Sequence, residues 1–372
     1  MQWGLQIIRG IIKMKIRTAI LDGDKTYVGR FFDIFNKNYS NKIEIHAFTS
    51  EDSLLNFLKN SKIDVLLIHE GIELNTKLDN KVIVLKLVEK NSIENQLNSI
   101  LKYQKISLIY KEILNAYSQV YKGLIFNDKN FSTNIISFMS SGTGSGTSTL
   151  ASAFALYLSK KGLKTLFLDL QSFATINSIF NAEGKFSMSE IIFAIKSNKA
   201  DIATRLESAV KMDKSGVFFY DPCINPLERN EITAEDLTRL LDALKEFGDY
   251  EYIIIDIDYL VNETCLRLLK YSNRIFFVIN TTEENQLKLS GIMKSIEIIS
   301  NQNNEIYTDK INIIYNKFVN GKGVMYQNDG IRIACYVPKF SESDIISIVK
   351  EISATSMLDK LVLVGGKNEL EI

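Results

Sequence analysis

The chain has 372 residues, enough for two domains with their own cores at roughly 100–200 residues per domain. Its 46% hydrophobic and 24% charged residues are ordinary for a globular protein, and 44 Lys+Arg balance 44 Asp+Glu, so the basic excess of a nucleic-acid binder is missing and no direct nucleic-acid partner is expected. Cys223, Cys265 and Cys335 are too scattered for a disulfide framework or a metal signature, which fits a reducing cytoplasm, and no apolar run nears the roughly 20 residues that span a bilayer.

Residues 1–14 read as an amphipathic extension (Trp3, Leu5, Ile7, Ile8, Ile11, Ile12) without a cleavage site, and Met14 is the expected natural start. Over residues 15–122, apolar runs at Ile16–Leu21, Ile43–Phe48, Val65–Ile68 and Val82–Leu87 alternate with amphipathic stretches. Of these, Ser53–Leu58 and Ile106–Tyr121 carry helical spacing. Strands alternating with helices predict βαβ units and a parallel sheet. The polar stretch FNDKNFST closes a linker placed at 123–133.

The rhythm restarts in residues 134–372, with strands predicted at Ile135–Met139, Thr165–Leu168, Gly216–Phe219, Tyr252–Ile255, Arg274–Ile279 and Ile311–Tyr315. Helices are predicted at Ser148–Lys161 and Ala234–Phe247, closing at Gly162 and Gly248 in left-handed geometry. The fold class is therefore α/β: two doubly wound parallel-sheet domains, the second the larger.

The most informative stretch is IISFMSSGTGSGTSTL, where a buried strand feeds a glycine- and hydroxyl-rich loop that opens directly into a helix. Glycines let backbone N–H groups curl around phosphates, and the helix N-terminus adds its positive dipole end. A flexible linker would not sit between a core strand and an amphipathic helix. The pattern G-x-x-x-x-G-K-[ST] is nevertheless broken, because Ser141 replaces its first glycine and Thr147 its lysine. Thr143, Gly144, Ser145, Gly146, Thr147, Ser148 and Thr149 remain as the expected phosphate cradle, with Ser148 at the magnesium-binding hydroxyl position. A lysine–phosphate pair at 4 Å is worth up to about 4 kcal/mol at an effective dielectric of 20, before desolvation. Main-chain amides and Mg²⁺ can retain weakened binding without it. Fast hydrolysis, which needs that cation as charge moves across the β–γ oxygens, is not expected.

With these residues placed, the second domain resembles the MinD/ParA group of deviant P-loop ATPases, and more closely the TadZ/CpaE branch that positions pilus and secretion machinery. In the family's K-G-G-x-G-K-T-T register the signature lysine becomes Gly142, so both lysines are absent. The resemblance implies ATP or ADP with Mg²⁺ as cofactors and a homodimer through this domain, although the loss of the signature lysine removes the usual crosslink. TLFLDLQS matches the family's D-x-D segment. Asp169 takes the first carboxylate as a magnesium-shell and catalytic candidate, while Gln171 replaces the second and cannot accept a proton. Both could equally be ordinary polar residues at a strand end. YIIIDID places Asp256 at the end of a buried strand as a further magnesium ligand. The metal set is thus Ser148, Asp169 and Asp256. INIIYNKF and ACYVPKF put Asn316, Lys317, Val337 and Pro338 where the family meets adenine.

The first domain resembles a response-regulator receiver (flavodoxin-like). Asp22 and Asp24 end its first strand as an acidic pocket, Lys102 is a candidate for the active-site lysine, and His69 stands where the phosphoacceptor aspartate belongs. His69 reads as a strand-end histidine rather than a phosphoacceptor or metal ligand, which makes the domain a pseudo-receiver that docks partners. The function expected is an ATP-binding localisation or scaffold protein, cytoplasmic and recruited to a pole or to the inner membrane face, whose receiver-like domain meets pilus or secretion-system proteins. The alternatives are a slow ATPase cycling between monomer and dimer, and an atypical response regulator. The second of these lacks a helix-turn-helix pattern. The terminal KNELEI lacks a basic amphipathic helix, so no direct membrane anchor is expected.

Overall fold

The computed structural model describes residues 15–74, 78–79, 81–90, 98–121, 132–140, 142, 144–197, 202–319, 331–341 and 344–363. The extension with Met14, most of the 123–133 linker, Ser141, Thr143 and the KNELEI terminus lie outside them. Contacts divide the chain into two compact units, Met1–Asp128 with Ser197–Ser208, and Lys129–Lys196 with Ala209–Ile372.

The first unit runs β1 (Ile16–Leu21), α1 (Lys25–Tyr39), β2 (Ile43–Phe48), α2 (Glu51–Leu58), β3 (Val65–His69), β4 (Ile83–Val88), β5 (Ser99–Leu101) and α3 (Ile106–Val120). Its strands are all parallel in the order β2-β1-β3-β4-β5, doubly wound with the switch point between β1 and β3. On one face, Val28, Phe31 and Phe35 of α1 and Ile109, Ile113 and Leu114 of α3 bury against Ile16, Ile20, Val65 and Leu67. On the other, Leu54 of α2 meets Ala19, Leu21, Leu66 and Ile68. Burial from both sides explains why these strands read as continuous apolar runs. A second-half segment also belongs to this unit: on the helix Ile202–Ala209, Glu207 accepts a 3.0 Å hydrogen bond from the Tyr110 hydroxyl.

The second unit contains β6 (Asn134–Ser140), α4 (Thr147–Lys160), β7 (Thr165–Asp169), α5 (Met188–Ser197), α6 (the Ile202–Ala209 helix, whose last residue alone falls in this unit), β8 (Lys211–Met212), β9 (Phe218–Phe219), α7 (Leu227–Asn230), α8 (Ala234–Glu246), β10 (Tyr252–Asp258), α9 (Glu263–Tyr271), β11 (Arg274–Ile279), α10 (Glu283–Asn303), β12 (Ile311–Phe318), β13 (Arg332–Pro338), α11 (Ile345–Ser353) and α12 (Asp359–Leu363). The sheet order is β13-β12-β11-β6-β10-β7-β9-β8, parallel except for β8 against β9. α4 is buried along nearly its whole length because Leu150, Phe154 and Leu158 share one core with Phe138 and Phe276 of the sheet and Val349 and Ile352 of α11.

Gly162 closes α4 with a φ of 80°, the left-handed geometry expected of it. Gly248 does not: its φ is not positive, and α8 ends at Phe247 in right-handed geometry. Crowding, not handedness, requires glycine there, since a methyl on Gly248 would lie 2.5 Å from the Leu244 carbonyl and 2.8 Å from the Tyr250 ring. Gly248→Ala is expected to cost about 1–2 kcal/mol by overpacking, read as a lowered urea midpoint with an unchanged m-value.

Candidate functional site

Three neighbouring strands deliver the site. β6 leads into the glycine-rich loop. β10 beside it ends in Asp256 and Asp258, and β7 beyond ends in Asp169, which lies in register with Asp256. Ligands of open α/β sheets bind at this edge, where parallel strands leave their C-terminal ends.

The loop is held from below by side chains far away in sequence. Asn316 Nδ2 donates to the Ser145 carbonyl at 2.7 Å, and Lys317 Nζ donates to the Gly144 carbonyl at 2.9 Å. A planar trans peptide sets N–H opposite C=O, so these two contacts turn the amides of Ser145 and Gly146 the other way. Gly144 and Gly146 have φ of 78° and 84°, values that glycine adopts without strain. Ser140 Oγ steadies the loop's first bend, donating to the Gly142 carbonyl at 2.7 Å and accepting from its amide at 3.0 Å. Thr147, in the lysine position, is buried, and its hydroxyl lies 2.7 Å from that of Ser145. Gly146 is the N-cap of α4 and no side chain caps it, which leaves the first amides of a 14-residue helix without that partner.

Asp256 is fully buried, and neither carboxylate oxygen finds a hydrogen-bond partner among the described residues. Burial pushes its pKa well above the ordinary value, with the charges of Asp169 and Asp258 adding to the rise. The nearby Ser148 hydroxyl opposes it without reaching hydrogen-bond geometry. Ser148 Oγ instead donates to Gln171 Oε1 at 3.3 Å. An orphaned carboxylate beside a hydroxyl at a strand end suits a hard divalent cation that keeps waters and phosphate oxygens as its other ligands. No cluster of three or more His, Cys, Asp or Glu that could hold a metal unaided occurs among the described residues.

The structure places Asp169 differently from a free ligand. Its Oδ1 accepts the Gln171 amide at 3.0 Å, and its Oδ2 accepts those of Thr175 and Ile176 at 3.0 and 3.3 Å. It folds the loop after β7, and burial still raises its pKa against these bonds. Asn316 and Lys317 are likewise engaged with the loop, Val337 is fully buried in the core, and Pro338 is exposed at the end of β13. Arg229, absent from the sequence reading, donates to the Leu170 carbonyl at 2.6 and 3.1 Å and helps line a half-open, mostly apolar cavity of about 180 Å³ with Phe173, Met188, Tyr220 and Cys223. No motif marks Arg229, because its partner is a main-chain carbonyl.

In the first unit, Lys102 Nζ pairs with Asp22 at 2.7 Å, both nearly fully buried. Asp24 caps α1 by accepting the amides of Thr26 and Tyr27 at 2.9 and 3.0 Å. His69 ends β3, where its Nδ1 accepts the Gly71 amide at 3.2 Å. Lys102 and Asp22 therefore form a closed, buried ion pair, and an imidazole ends the third strand.

The second unit has the fold of a P-loop ATPase of the ParA/MinD kind. An AAA domain profile matches residues 133–312, and a ParA family ATPase from Chlorobium tepidum TLS superposes with a TM-score of 0.52 at 16% identity, over 63% of this chain and 99% of that one. A putative plasmid partition protein from Borrelia burgdorferi B31 bound to AMPPNP gives 0.48 at 19% identity, over 62% and 98% of the two chains. MinD from Pyrococcus horikoshii OT3 complexed with Mg-ADP gives 0.46 at 15%, over 63% and 99%. The profile of the TadZ-like receiver domain matches residues 14–118. A TadZ-like receiver domain is thus followed along the chain by an ATPase domain of the ParA/MinD kind. No curated protein matches it. No helix among the described residues is long and apolar enough to cross a membrane.

Proposed function

We propose that this chain binds ATP with magnesium and serves as a localisation scaffold for Tad-type pilus or secretion machinery, turning ATP over slowly or not at all. The observation that carries this reading is the loop itself. It keeps the strand–loop–helix cradle and two left-handed glycines, while a buried threonine bonded to Ser145 replaces the lysine. The amides of Ser145, Gly146 and the first turn of α4 would bind the phosphates. Ser148 and Asp256 would hold magnesium, Asp256 through water, with Asp169 behind them as the residue that shapes the adjoining loop. Magnesium, when bound, neutralises phosphate charge in place of the lost ammonium group. Gln171, bonded to Ser148, can orient a water but cannot take its proton, which weakens catalysis more than binding. The adenine would lie toward Asn316 and Pro338. Nucleotide would favour a homodimer through this domain.

The receiver-like domain supports the scaffold half of the reading. With Asp22 already neutralised by Lys102 and His69 at the acceptor position, it is built to dock pilus or secretion proteins rather than to accept a phosphoryl group. A cytoplasmic protein recruited to a pole or to the inner membrane face fits this role.

Calorimetry with Mg-ATP, paired with a phosphate-release assay, tests the proposal. Saturable magnesium-dependent binding with negligible release is the expected outcome, and the double variant Ser148→Ala, Asp256→Ala should lose the magnesium dependence. Sustained turnover would favour the alternative of a cycling ATPase. Absence of binding at millimolar Mg-ATP would end the nucleotide reading.

A further inference from the structure

We infer that Lys288, from the second turn of α10, supplies the phosphate-binding cation that the loop no longer carries. This inference rests on the nucleotide reading above and adds a residue that no part of the P-loop pattern contains.

The placement follows from the sheet. β11 lies next to β6, so α10 leaves the sheet edge beside the glycine-rich loop. Two of its side chains fix the helix there. Gln286 Nε2 donates to the Asn280 carbonyl at 3.0 Å, Gln286 Oε1 accepts from the Tyr315 hydroxyl at 3.3 Å, and Leu289 is fully buried. Lys288, between those two anchors, reaches the loop: a methyl placed on Gly142 would lie 3.5 Å from its ammonium nitrogen and 3.8 Å from its Cδ. The signature-lysine position is thus emptied of its own side chain and approached by another lysine from the same chain.

The ammonium is partnered but not sequestered. It pairs with Glu284 one turn earlier at 2.6 Å, and the lysine side chain remains 47% exposed while that of Glu284 is 76% exposed. An exposed i,i+4 pair is weak because water screens it, too weak to hold the ammonium against a multiply charged phosphate. Lys317, also at the loop, is directed at the Gly144 carbonyl and shapes the main chain instead. Lys288 would therefore exchange Glu284 for a phosphate oxygen when nucleotide arrives, and Glu284 acts as its placeholder.

The test uses the full-length chain, Mg-ATP calorimetry and three variants of exposed side chains, with thermal melting to confirm folding. Lys288→Met should weaken Mg-ATP by about tenfold or more, the loss expected of one charge-assisted hydrogen bond, and should flatten the dependence of affinity on salt. Lys288→Arg should stay within a few-fold of the parent. Glu284→Gln, which removes the competitor, should tighten binding several-fold, an outcome that a merely structural ion pair would not give. A parent that binds Mg-ATP while Lys288→Met binds equally well overturns the assignment of Lys288 and leaves the nucleotide reading standing. A parent that binds no nucleotide overturns both.

Discussion

Asp256→Asn will raise the melting temperature of the nucleotide-free chain and abolish the further rise that Mg-ATP brings to the parent. The two effects have one cause. Asp256 is fully buried, and among the described residues both its oxygens are unpartnered; such a group costs on the order of 1–3 kcal/mol, more when it carries charge. The amide has nearly the same shape and no charge to desolvate, so the empty site becomes more stable. It also offers magnesium a poor ligand, so the site stops responding to the metal–nucleotide complex. In the parent, a ligand at one hundred times its Kd adds about 2.7 kcal/mol, and the variant should forfeit nearly all of it.

The pH dependence has a definite sign. Burial first, then the charges of Asp169 and Asp258, hold the Asp256 carboxyl well above its ordinary range in the folded chain. A raised folded pKa means tighter proton binding in the native state. The stability it contributes is complete below the ordinary carboxylate range, near about pH 4, and is lost as pH rises through the raised value. Urea midpoints of the parent should fall relative to those of Asp256→Asn as pH climbs from that range toward neutrality. A constant difference across that range, or a magnesium-dependent melting shift retained by the variant, would show that the residue is not a charged metal ligand kept ready at a stability cost.

Much of the fold could be read from periodicity. β1, β2 and β11 occupy the residues assigned to them, because strands buried on both faces leave uninterrupted apolar runs. α1 went unread although Val28, Phe31 and Phe35 form its buried stripe and Asp24 caps it, since Gly29, Arg30 and Asp33 interrupt the hydrophobic pattern. The short antiparallel β8 carries no alternation long enough to show. At the candidate site, the strand–loop–helix arrangement was legible because local sequence builds it. The engagement of Asn316 and Lys317 with loop carbonyls was not, because the contacts join residues more than 170 positions apart. The same holds for Lys288 against Gly142 and for Arg229 against Leu170, where the partner is main chain and leaves no trace in composition.

Gly146→Ala is expected to destabilise the chain severely, and Asn316→Ala in the same molecule should restore part of the loss. Two separate penalties meet at Gly146. Its φ of 84° costs an alanine about 1–2 kcal/mol on backbone grounds alone. In addition, the new methyl would lie 2.2 Å from Asn316 Nδ2, an overlap that must be relieved by moving the asparagine off the Ser145 carbonyl, for about 1–3 kcal/mol more. Asn316→Ala removes the overlap but not the backbone strain, so a double-mutant cycle should give a coupling of about 1–3 kcal/mol in urea unfolding. Mg-ATP affinity should not recover with it. Without Asn316 the Ser145 carbonyl loses the partner that turns the Gly146 amide outward, and the cradle is left mobile even where the fold is repaired. Additive effects in the cycle would mean that the asparagine does not hold the loop. Full recovery of nucleotide binding in the double variant would mean that the direction of that amide is not what grips the phosphate.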